Sequence, residues 1–227
     1  MNGDWQTYRL GDFLPVTPEV YWRLIERVNE AWWPLQLLTL ALGLAALVMA
    51  LRGNRRIAWL LLAPAWLSSG VIFHLNYYAE LNWAASWFGR GFIAQAGVLL
   101  ALVAFAGPGK VQYQPGTAST AIGAILAISA LLAYPLIALT LGGGATHAEI
   151  FGLHPDPTAI ATLGILLAAH RGPATWLALP IPLLASLLAT LTLVPLEADW
   201  AYLPAAAAGV ALLTLFIRTM FTPAGRR

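Results

Sequence analysis

Seven apolar segments separated by short polar loops account for most of this chain. They cover residues 32–51, 57–75, 84–106, 118–141, 157–170, 174–194 and 203–221. A helix needs about 20 apolar residues to cross the hydrocarbon core of a bilayer. Only 10% of the residues are charged, whereas a soluble domain carries roughly a quarter. The sequence therefore predicts an all-α polytopic membrane protein with seven transmembrane helices.

All ten acidic residues can be placed on one side of this predicted bundle. They are Asp4, Asp12, Glu19, Glu26, Glu30, Glu80, Glu149, Asp156, Glu197 and Asp199. The loops on the other side contain no acid, and their basic residues are Arg52, Arg55, Arg56, Lys110, Arg171, Arg218, Arg226 and Arg227. Because basic loops are retained in the cytoplasm, the N-terminus is predicted to lie outside and the C-terminus inside.

The composition also narrows the location and the partners. The preference for Arg over Lys and the many Ala and Leu residues are typical of a GC-rich bacterial genome. We therefore expect the bacterial inner membrane, with a periplasmic N-terminus, a cytoplasmic C-terminus and the lipid bilayer as a partner. Basic residues scattered over loop ends orient a chain and do not form a phosphate-binding patch, so no nucleic-acid partner is predicted. Cysteine is absent, which excludes disulfides and thiolate metal sites.

One bundle with short flanking segments is predicted. Residues 1–31 form an extracytoplasmic and interfacial segment, residues 32–221 the transmembrane bundle and residues 222–227 a cytoplasmic tail. Residues 17–31 predict an amphipathic helix, with Thr17 as N-cap and Pro18 at the first helical position. The apolar face of this helix consists of Val20, Leu24, Ile25 and Val28. We expect it to lie on the outer leaflet.

A second pattern links two parts of the bundle, since residues 57–92 align without gaps to residues 174–209. The matches that are uncommon in so apolar a chain are Trp59 with Trp176, Glu80 with Glu197 and Trp83 with Trp200. One interpretation is a parallel repeat, 32–106 and 157–221, linked by a helix over 118–141 as in some small transporters. The other is chance similarity in a Leu-rich background.

A polar block follows the second predicted span. Its candidate ligand-binding residues are His74, Tyr77, Tyr78, Glu80 and Asn82. Arg90 lies about two turns into the third span, where an Arg must reach the surface, face a wet cavity or pair with an acid. Its expected partners are Glu80, Glu149 and Asp156. Arg90 therefore either anchors an anionic or carbonyl-bearing ligand near the outer leaflet or makes a purely structural contact.

A second polar block precedes the fifth predicted span and adds Glu149, His154 and Asp156 as ligand-binding candidates. That span, 157–170, reaches only about 21 Å at 1.5 Å per residue, whereas the hydrocarbon core is about 30 Å thick. The preceding loop is therefore expected to dip into the protein on the outer side. Asp156 and Pro157 predict the N-cap and first position of this helix, whose N–H groups would face a ligand or a buried loop.

No cofactor is predicted from these residues. His74, His147, Glu149 and His154 are residue types that suit zinc, but their spacing matches no metal-binding motif. Zinc is therefore a weak alternative to hydrogen-bonded histidines. A retinal Schiff base is excluded because Lys110, the one lysine of the chain, lies in a predicted cytoplasmic loop. The middle of the predicted bilayer has few polar side chains, which argues against an ion pump.

Four blocks of sequence carry a family resemblance. They are Tyr8 to Leu14, Trp33-Pro34, His74 through Ala85 and Glu149 through Thr158. Together they resemble an uncharacterised family of bacterial multi-pass membrane proteins, a domain of unknown function whose members are sometimes labelled permeases. The resemblance covers most of the chain. It implies that the two outer polar blocks are family features, and it implies no activity.

Three classes of function fit these observations. The repeat and the intramembrane prolines favour a small-solute transporter, which is permease-like. The polar residues near the outer side and the dry interior favour a non-catalytic membrane subunit or sensor with an outer ligand site. The outer tryptophans then form either an aromatic belt or a surface for a homo- or hetero-oligomer. An intramembrane hydrolase that uses His and Glu, with or without zinc, is the least favoured class.

Overall fold

The computed structural model describes residues 15–105, 117–141, 144–169 and 173–221, which contain helices and no β-strand. The helices are α1 (Pro18–Ala31), α2 (Leu35–Leu51), α3 (Arg55–Ser68), α4 (Ala85–Phe105), α5 (Ala118–Ile128), α6 (Tyr134–Thr140), α7 (Pro155–Ala168), α8 (Pro173–Ala178), α9 (Pro180–Leu193) and α10 (Leu203–Phe221). A π-helical segment, Ser69–Tyr77, continues α3, and a second, Ser129–Ala133, joins α5 to α6. The motif at Tyr8 to Leu14, the loop with Lys110 and the predicted tail 222–227 lie outside the described residues.

Five continuous helical stretches among the described residues are long and apolar enough to cross a membrane. They are Arg55–Glu80, Ala85–Phe105, Ala118–Thr140, Ala174–Leu193 and Leu203–Met220. The pair α1 and α2, which is bent by 91°, makes a sixth if it is taken as one broken span. The protein is therefore an all-helical chain with five or six apolar helices of membrane-spanning character. The count of seven and the orientation stay predictions.

The shortest of the predicted spans corresponds to α7, which lies at the centre of the bundle. Every residue from Asp156 to Ala168 is buried, and α7 packs against α2, α5, α9 and α10. A helix that is apolar on all sides is stable when it is covered on all sides. With 14 residues, α7 is shorter than a helix that crosses the hydrocarbon core alone. Its apolar surface is covered by the surrounding helices.

Two glycines allow α5 and α7 to approach closely. A Cβ atom built on Gly164 would lie 2.5 Å from the backbone nitrogen of Ala127, and one on Gly123 would lie 2.6 Å from the carbonyl oxygen of Gly164. Small residues at such crossings let helix backbones pack directly in membrane bundles. On another side of α7, the indole Nε1 of Trp66 in α3 donates a hydrogen bond of 2.8 Å to Thr162 Oγ1.

The predicted N-terminal helix is present as α1, and Thr17 and Pro18 hold the expected first positions. Thr17 is the N-cap residue as predicted, although its side chain makes no capping hydrogen bond. The apolar face of α1 packs against Phe73, Tyr78 and Leu153 of the bundle, while Val20 stays exposed. Most of this face therefore contacts protein, and α1 covers one end of the bundle.

The matched residues of the proposed repeat have different surroundings. Trp59 is buried, whereas its counterpart Trp176 is exposed. Helix α2, which would begin the first copy, has six buried residues among its 17, whereas α7, which would begin the second, is buried from Asp156 to Ala168. The repeat stays a prediction, and the two copies do not share one pattern of burial.

Candidate functional site

Two carboxylic acids are buried together where the loop 144–154 meets the first turn of α7. Glu149 and Asp156 are only 4% and 2% exposed. The hydroxyl of Tyr21 donates to Glu149 Oε1 over 3.5 Å, and the hydroxyl of Tyr134 donates to Asp156 Oδ2 over 3.2 Å. Burial of two carboxyl groups in an apolar bundle costs free energy unless they are protonated or hydrogen-bonded. This acid pair is the strongest candidate for a functional site.

The loop reaches this buried position through a glycine turn. Gly152 has a φ of 81°, in the left-handed region that favours glycine. A Cβ there would lie 2.7 Å from the Cβ of Thr39 in α2. Its N–H donates to Thr158 Oγ1 over 2.7 Å, and its carbonyl accepts a hydrogen bond from the Ser68 hydroxyl. The turn is thus held between α2, α3 and α7.

A second set of contacts ties the loop to α1. The side-chain amide of Asn29 donates to the carbonyl oxygens of Thr146 and Ala148, over 2.7 and 2.8 Å. Gln36 in turn donates to the carbonyl of Asn29 over 2.7 Å. These amide groups satisfy backbone carbonyls of the loop and of α1. They position Glu149, the next residue after Ala148, beneath α1.

Helix α7 begins two residues earlier than predicted. Its N-cap is His154, whose side chain makes no capping bond, and Pro155 is its first residue. The prediction of Asp156 as N-cap and Pro157 as first residue is therefore wrong, because Pro155 already has the φ that a first helical position requires. Asp156 lies in the first turn, where the helix dipole stabilises a negative charge.

Two histidines lie close to the acid pair. His154 Nδ1 accepts a hydrogen bond of 2.9 Å from the N–H of Ile150, so a neutral His154 carries its proton on Nε2. That Nε2 atom is buried without a partner among the described residues, as is Glu149 Oε2. His74 Nδ1 lies 3.2 Å from the carbonyl oxygen of Ser69. Because a carbonyl only accepts, Nδ1 of His74 is protonated and Nε2 is an acceptor.

His74 and Asp156, one member of the acid pair, line the same small cavity. It has a volume of about 30 Å³ and is lined by His74, Tyr78 and Asp156 together with Phe73, Phe92 and side chains of α9. A space of this size holds a water molecule when polar groups are present to bind it. The imidazole of His74, the phenol of Tyr78 and the carboxyl group of Asp156 are polar groups of this kind.

The loop acids and bases have altered proton affinities. Burial, and secondarily the nearby Asp156 carboxylate, raises the pKa of Glu149 well above its ordinary value of 4.5. Burial lowers the pKa of His154 to about 3. Desolvation disfavours the charged form of either group. At neutral pH these directions favour a protonated Glu149 and a neutral His154.

The structure places the other predicted site residues outside this cluster. Arg90 lies on the exposed face of α4, with its guanidinium carbon 4.6 Å from the centre of the Trp87 ring. Glu80 forms an exposed ion pair with Arg27 of α1 over 3.7 Å. Among the described residues no ion pair joins Arg90 to an acid. The ligand-binding role of Arg90 stays a prediction that these contacts do not support.

Tyr77, Tyr78 and Asn82 are divided between these two regions. Tyr77 packs beneath the Arg27 guanidinium, at 5.4 Å from its ring centre. Asn82 is buried and donates to the Tyr78 hydroxyl over 3.2 Å. The structure thus brings Glu149, His154, Asp156, His74 and Tyr78 together, with Asn82 behind Tyr78. Tyr77 and Glu80 instead belong to the surface around α1.

Tyr21 and Tyr134 contact the acid pair, and sequence reasoning missed both. Tyr21 lies on the same helical face as Leu24, Ile25 and Val28. A tyrosine hydroxyl within an apolar face needs a buried hydrogen-bond partner, and this requirement could have identified Tyr21 from the sequence. Tyr134 precedes Pro135 inside the fourth predicted span. A tyrosine inside a span needs a partner for its hydroxyl, and Asp156 provides it.

No group of three or more His, Asp or Glu side chains within residues 15–105, 117–141, 144–169 and 173–221 is arranged to hold a metal ion. His147, one of the four weak zinc candidates, lies in a separate short turn, Ala145–His147. Zinc sites use three or four protein ligands that converge on one point, and His74, Glu149, His154 and Asp156 do not converge in this way. The geometry therefore gives no support to a zinc hydrolase.

Comparison with known proteins agrees with the resemblance seen in the sequence. A family model, described as a family of unknown function (DUF6064), matches residues 18–225. The chain belongs to this family. No curated protein and no solved structure matches the sequence. The matched region contains the acid pair, both nearby histidines and both tyrosines, so the buried cluster lies wholly within the family domain.

Proposed function

We propose that the protein is a proton-coupled permease for a small solute in the bacterial inner membrane. The observation that carries this proposal is the burial of Glu149 and Asp156 together, at the end of a helix that is itself enclosed by the bundle. Ionisable groups in this position are costly, and in membrane proteins they typically belong to proton or ion pathways. Their hydrogen-bond partners are the hydroxyl groups of Tyr21 and Tyr134, and a hydroxyl group can donate to a carboxylate or accept from a carboxylic acid.

The two π-helical segments favour a transporter, which changes conformation, over a static scaffold protein. His74 lies within Ser69–Tyr77, and Tyr134 directly follows Ser129–Ala133. Segments of this kind are frequent at functional sites because an extra residue in the turn interrupts the regular helical bonding. His74 lines a cavity together with Asp156, and Tyr134 donates a hydrogen bond to Asp156. A change in helical register at either segment would therefore alter the site.

In the proposed orientation the acid pair lies on the periplasmic side. His147 and Asp199 line one cavity, so the loops before α7 and after α9 share an end of the bundle. Helix α7 then runs to the opposite end, followed by α8 and α9 in return, which supports α7 as the short fifth of seven spans. A proton from the periplasm would neutralise Glu149 or Asp156 and would leave on the cytoplasmic side after the bundle rearranges around its solute.

Proton flux in proteoliposomes tests this function. Vesicles with a trapped pH-sensitive dye would be challenged with a panel of amino acids, sugars, organic acids and amines. We expect wild-type protein to move protons into the vesicle when at least one class is present, and Glu149→Gln with Asp156→Asn to abolish that flux. Glu30→Gln, an exposed acid on α1, is the matched control. Equal proton flux in the wild type and the double variant, or none with every class, would overturn the proposal.

A non-catalytic subunit or sensor is the second candidate, because large aromatic side chains are exposed near one end of the bundle. Trp33, Trp83 and Trp87 are 66%, 79% and 62% exposed. Such residues form either a membrane-interface belt or a partner surface. Replacing Trp83 and Trp87 by Leu separates these options. Loss of a stable oligomer in native membranes, with proton flux absent from the wild type, would favour the subunit.

A further inference from the structure

A second cavity lies at the same end of the bundle and is separate from the acid pair. It has a volume of about 310 Å³ and opens between α1, the end of α6 and the turn between α9 and α10. Its polar and aromatic lining consists of Trp22, His147, Glu197, Asp199 and Trp200. This volume is at the lower end of the range for small-molecule sites, so a compact ligand would fill it.

Two tryptophans from different parts of the chain form the aromatic wall of this cavity. The ring centres of Trp22 in α1 and Trp200 in the turn are 5.5 Å apart, with an angle of 47° between the planes. The indole Nε1 of Trp200 is buried and has no hydrogen-bond partner among the described residues. The negative faces of tryptophan rings attract organic cations more strongly than those of the other aromatic side chains.

Two carboxylates complete the lining. Glu197 and Asp199 are exposed, and neither pairs with a basic side chain in the described part of the chain. Glu197 also has a φ of 55°, which is uncommon for a residue other than glycine. Backbone conformations of this kind cluster at ligand sites, where the surrounding structure maintains them. The turn holds Glu197 in place through its N–H, which donates to the carbonyl of Val194 over 3.1 Å.

We infer that this cavity binds a small organic cation, either a protonated amine or a quaternary ammonium group. Two carboxylates that form no ion pair within the described residues disfavour anions. The Trp walls favour a weakly hydrated cation over Na⁺ or K⁺, which lose more hydration than the rings replace. The cation can belong to a free solute or to a lipid headgroup such as ethanolamine. Binding here requires neither proton transfer nor transport, so it is independent of the proposed permease activity.

Calorimetry with choline tests the inference on full-length protein in phosphatidylglycerol nanodiscs. The matched neutral ligand is 3,3-dimethyl-1-butanol, which has the shape of choline without its charge. We expect choline to bind at least about tenfold more tightly than the neutral analogue, since the difference isolates the cation–π and carboxylate contributions. KCl at the same concentration should not compete.

Variants locate the binding to this cavity. Glu197→Gln with Asp199→Asn, and separately Trp200→Leu, should each weaken choline binding by about tenfold. Trp83→Leu and Glu30→Gln alter an exposed Trp and an exposed acid away from the cavity and should bind as the wild type does. If the double variant does not fold, choline binding is measured for Asp199→Asn alone, a change on the exposed rim that should also weaken it.

Lipid composition distinguishes the two sources of the cation. Phosphatidylethanolamine added to the nanodiscs should compete with choline if a headgroup reaches the cavity, and should have no effect if the site takes a free solute. The inference is overturned if choline binds no more tightly than 3,3-dimethyl-1-butanol, or if the folded carboxamide variants bind choline with wild-type affinity. Neither result would bear on proton flux through Glu149 and Asp156.

Discussion

The two oxygens of the Glu149 carboxyl group have different surroundings. Oε1 accepts from Tyr21, while Oε2 is buried without a partner among the described residues. A protonated carboxyl group can place its hydrogen on the unpaired oxygen, whereas a carboxylate would leave a buried charge with one hydrogen bond. The nearby Asp156 adds repulsion between the ionised forms. A single shared negative charge on the acid pair is the arrangement that this geometry accommodates best.

Thermal unfolding in detergent should show this preference as a pH dependence. Below a pH of about 4.5, the ordinary pKa of a glutamic acid, the folded and unfolded states both hold the Glu149 proton. As the pH rises, the unfolded state loses the proton first, because the folded-state pKa is raised. The linkage relation then requires stability to fall. We therefore expect the unfolding temperature to decrease from about pH 6.5 to pH 8, and to decrease less in Glu149→Gln.

Comparison of variants separates this effect from that of His154. The lowered pKa of His154 acts in the opposite direction, since its stabilising contribution is complete above about pH 6.5 and is lost as the pH falls toward about 3. The slope above pH 6.5 therefore reports on the acids. Glu30→Gln should keep the wild-type slope, because Glu30 is exposed. Identical pH profiles for wild type and Glu149→Gln would show that Glu149 ionises normally in the folded protein.

At the level of elements, the α5–α7 crossing should be the most sensitive contact in the bundle. Replacing Gly164 by Leu places side-chain atoms where the backbone of Ala127 already lies, 2.5 Å from the new Cβ. Overpacking of this kind typically costs about 1–3 kcal/mol, and separation of α7 from α5 would also disturb the acid pair at its first turn. We expect a lower unfolding temperature for Gly164→Leu.

Gly97→Leu is the control for this prediction. Gly97 lies on α4, and a Cβ built there meets no atom within 4 Å. Leu also has a higher helix propensity than Gly, by roughly 1 kcal/mol, so this variant should unfold at the wild-type temperature or above it. An unfolding temperature for Gly164→Leu equal to that of Gly97→Leu would mean that the two helices are not in close contact.

The positions of the helices along the chain are largely predictable from sequence, whereas the surfaces against which each helix packs are not. The lengths of the apolar segments and the charged loops between them predict where the helices lie, and the 3.6-residue spacing of apolar residues predicts the amphipathic face of α1. The sequence does not reveal the central position of α7, because a helix that is apolar on all sides has the same composition whether lipid or protein covers it. The short length of α7 is the one feature of its sequence that indicates burial within the protein. The face of α1 was assigned to lipid for the same reason, since hydrophobicity does not specify which apolar surface receives it.

The candidate site was predicted in part. Glu149, His154 and Asp156 were singled out because they precede a helix that is too short to span alone, and the structure buries them there. The depth of Arg90 along its span predicts that its side chain reaches the surface, faces a wet cavity or pairs with an acid. In the structure the side chain lies on the exposed face of α4 beside Trp87. Rotation about the axis decides between these outcomes, and α4 is apolar on too many sides to fix that rotation from sequence.

Across the whole molecule, one end of the bundle holds both proposed sites, and α1 connects them. Tyr21 contacts the acid pair, and the adjacent Trp22 lines the cavity assigned to an organic cation. A shift of α1 would therefore affect both at once. Helix α1 is held mainly by apolar packing and by Asn29, so the loop 144–154 and α1 form the cover of this end.

The seven-span arrangement gives a prediction that the absence of cysteine makes simple to test. Single cysteines at Ala145 and Tyr202, which are exposed before α7 and after α9, should react with a membrane-impermeant maleimide in intact spheroplasts. A cysteine at Arg52, exposed in the turn between α2 and α3, should react only after the membrane is permeabilised, because basic loops stay in the cytoplasm. Reaction of Ala145→Cys and Tyr202→Cys from opposite sides would mean that α7 does not cross the membrane. Reaction of Arg52→Cys in intact spheroplasts would instead reverse the orientation and place the acid pair on the cytoplasmic side.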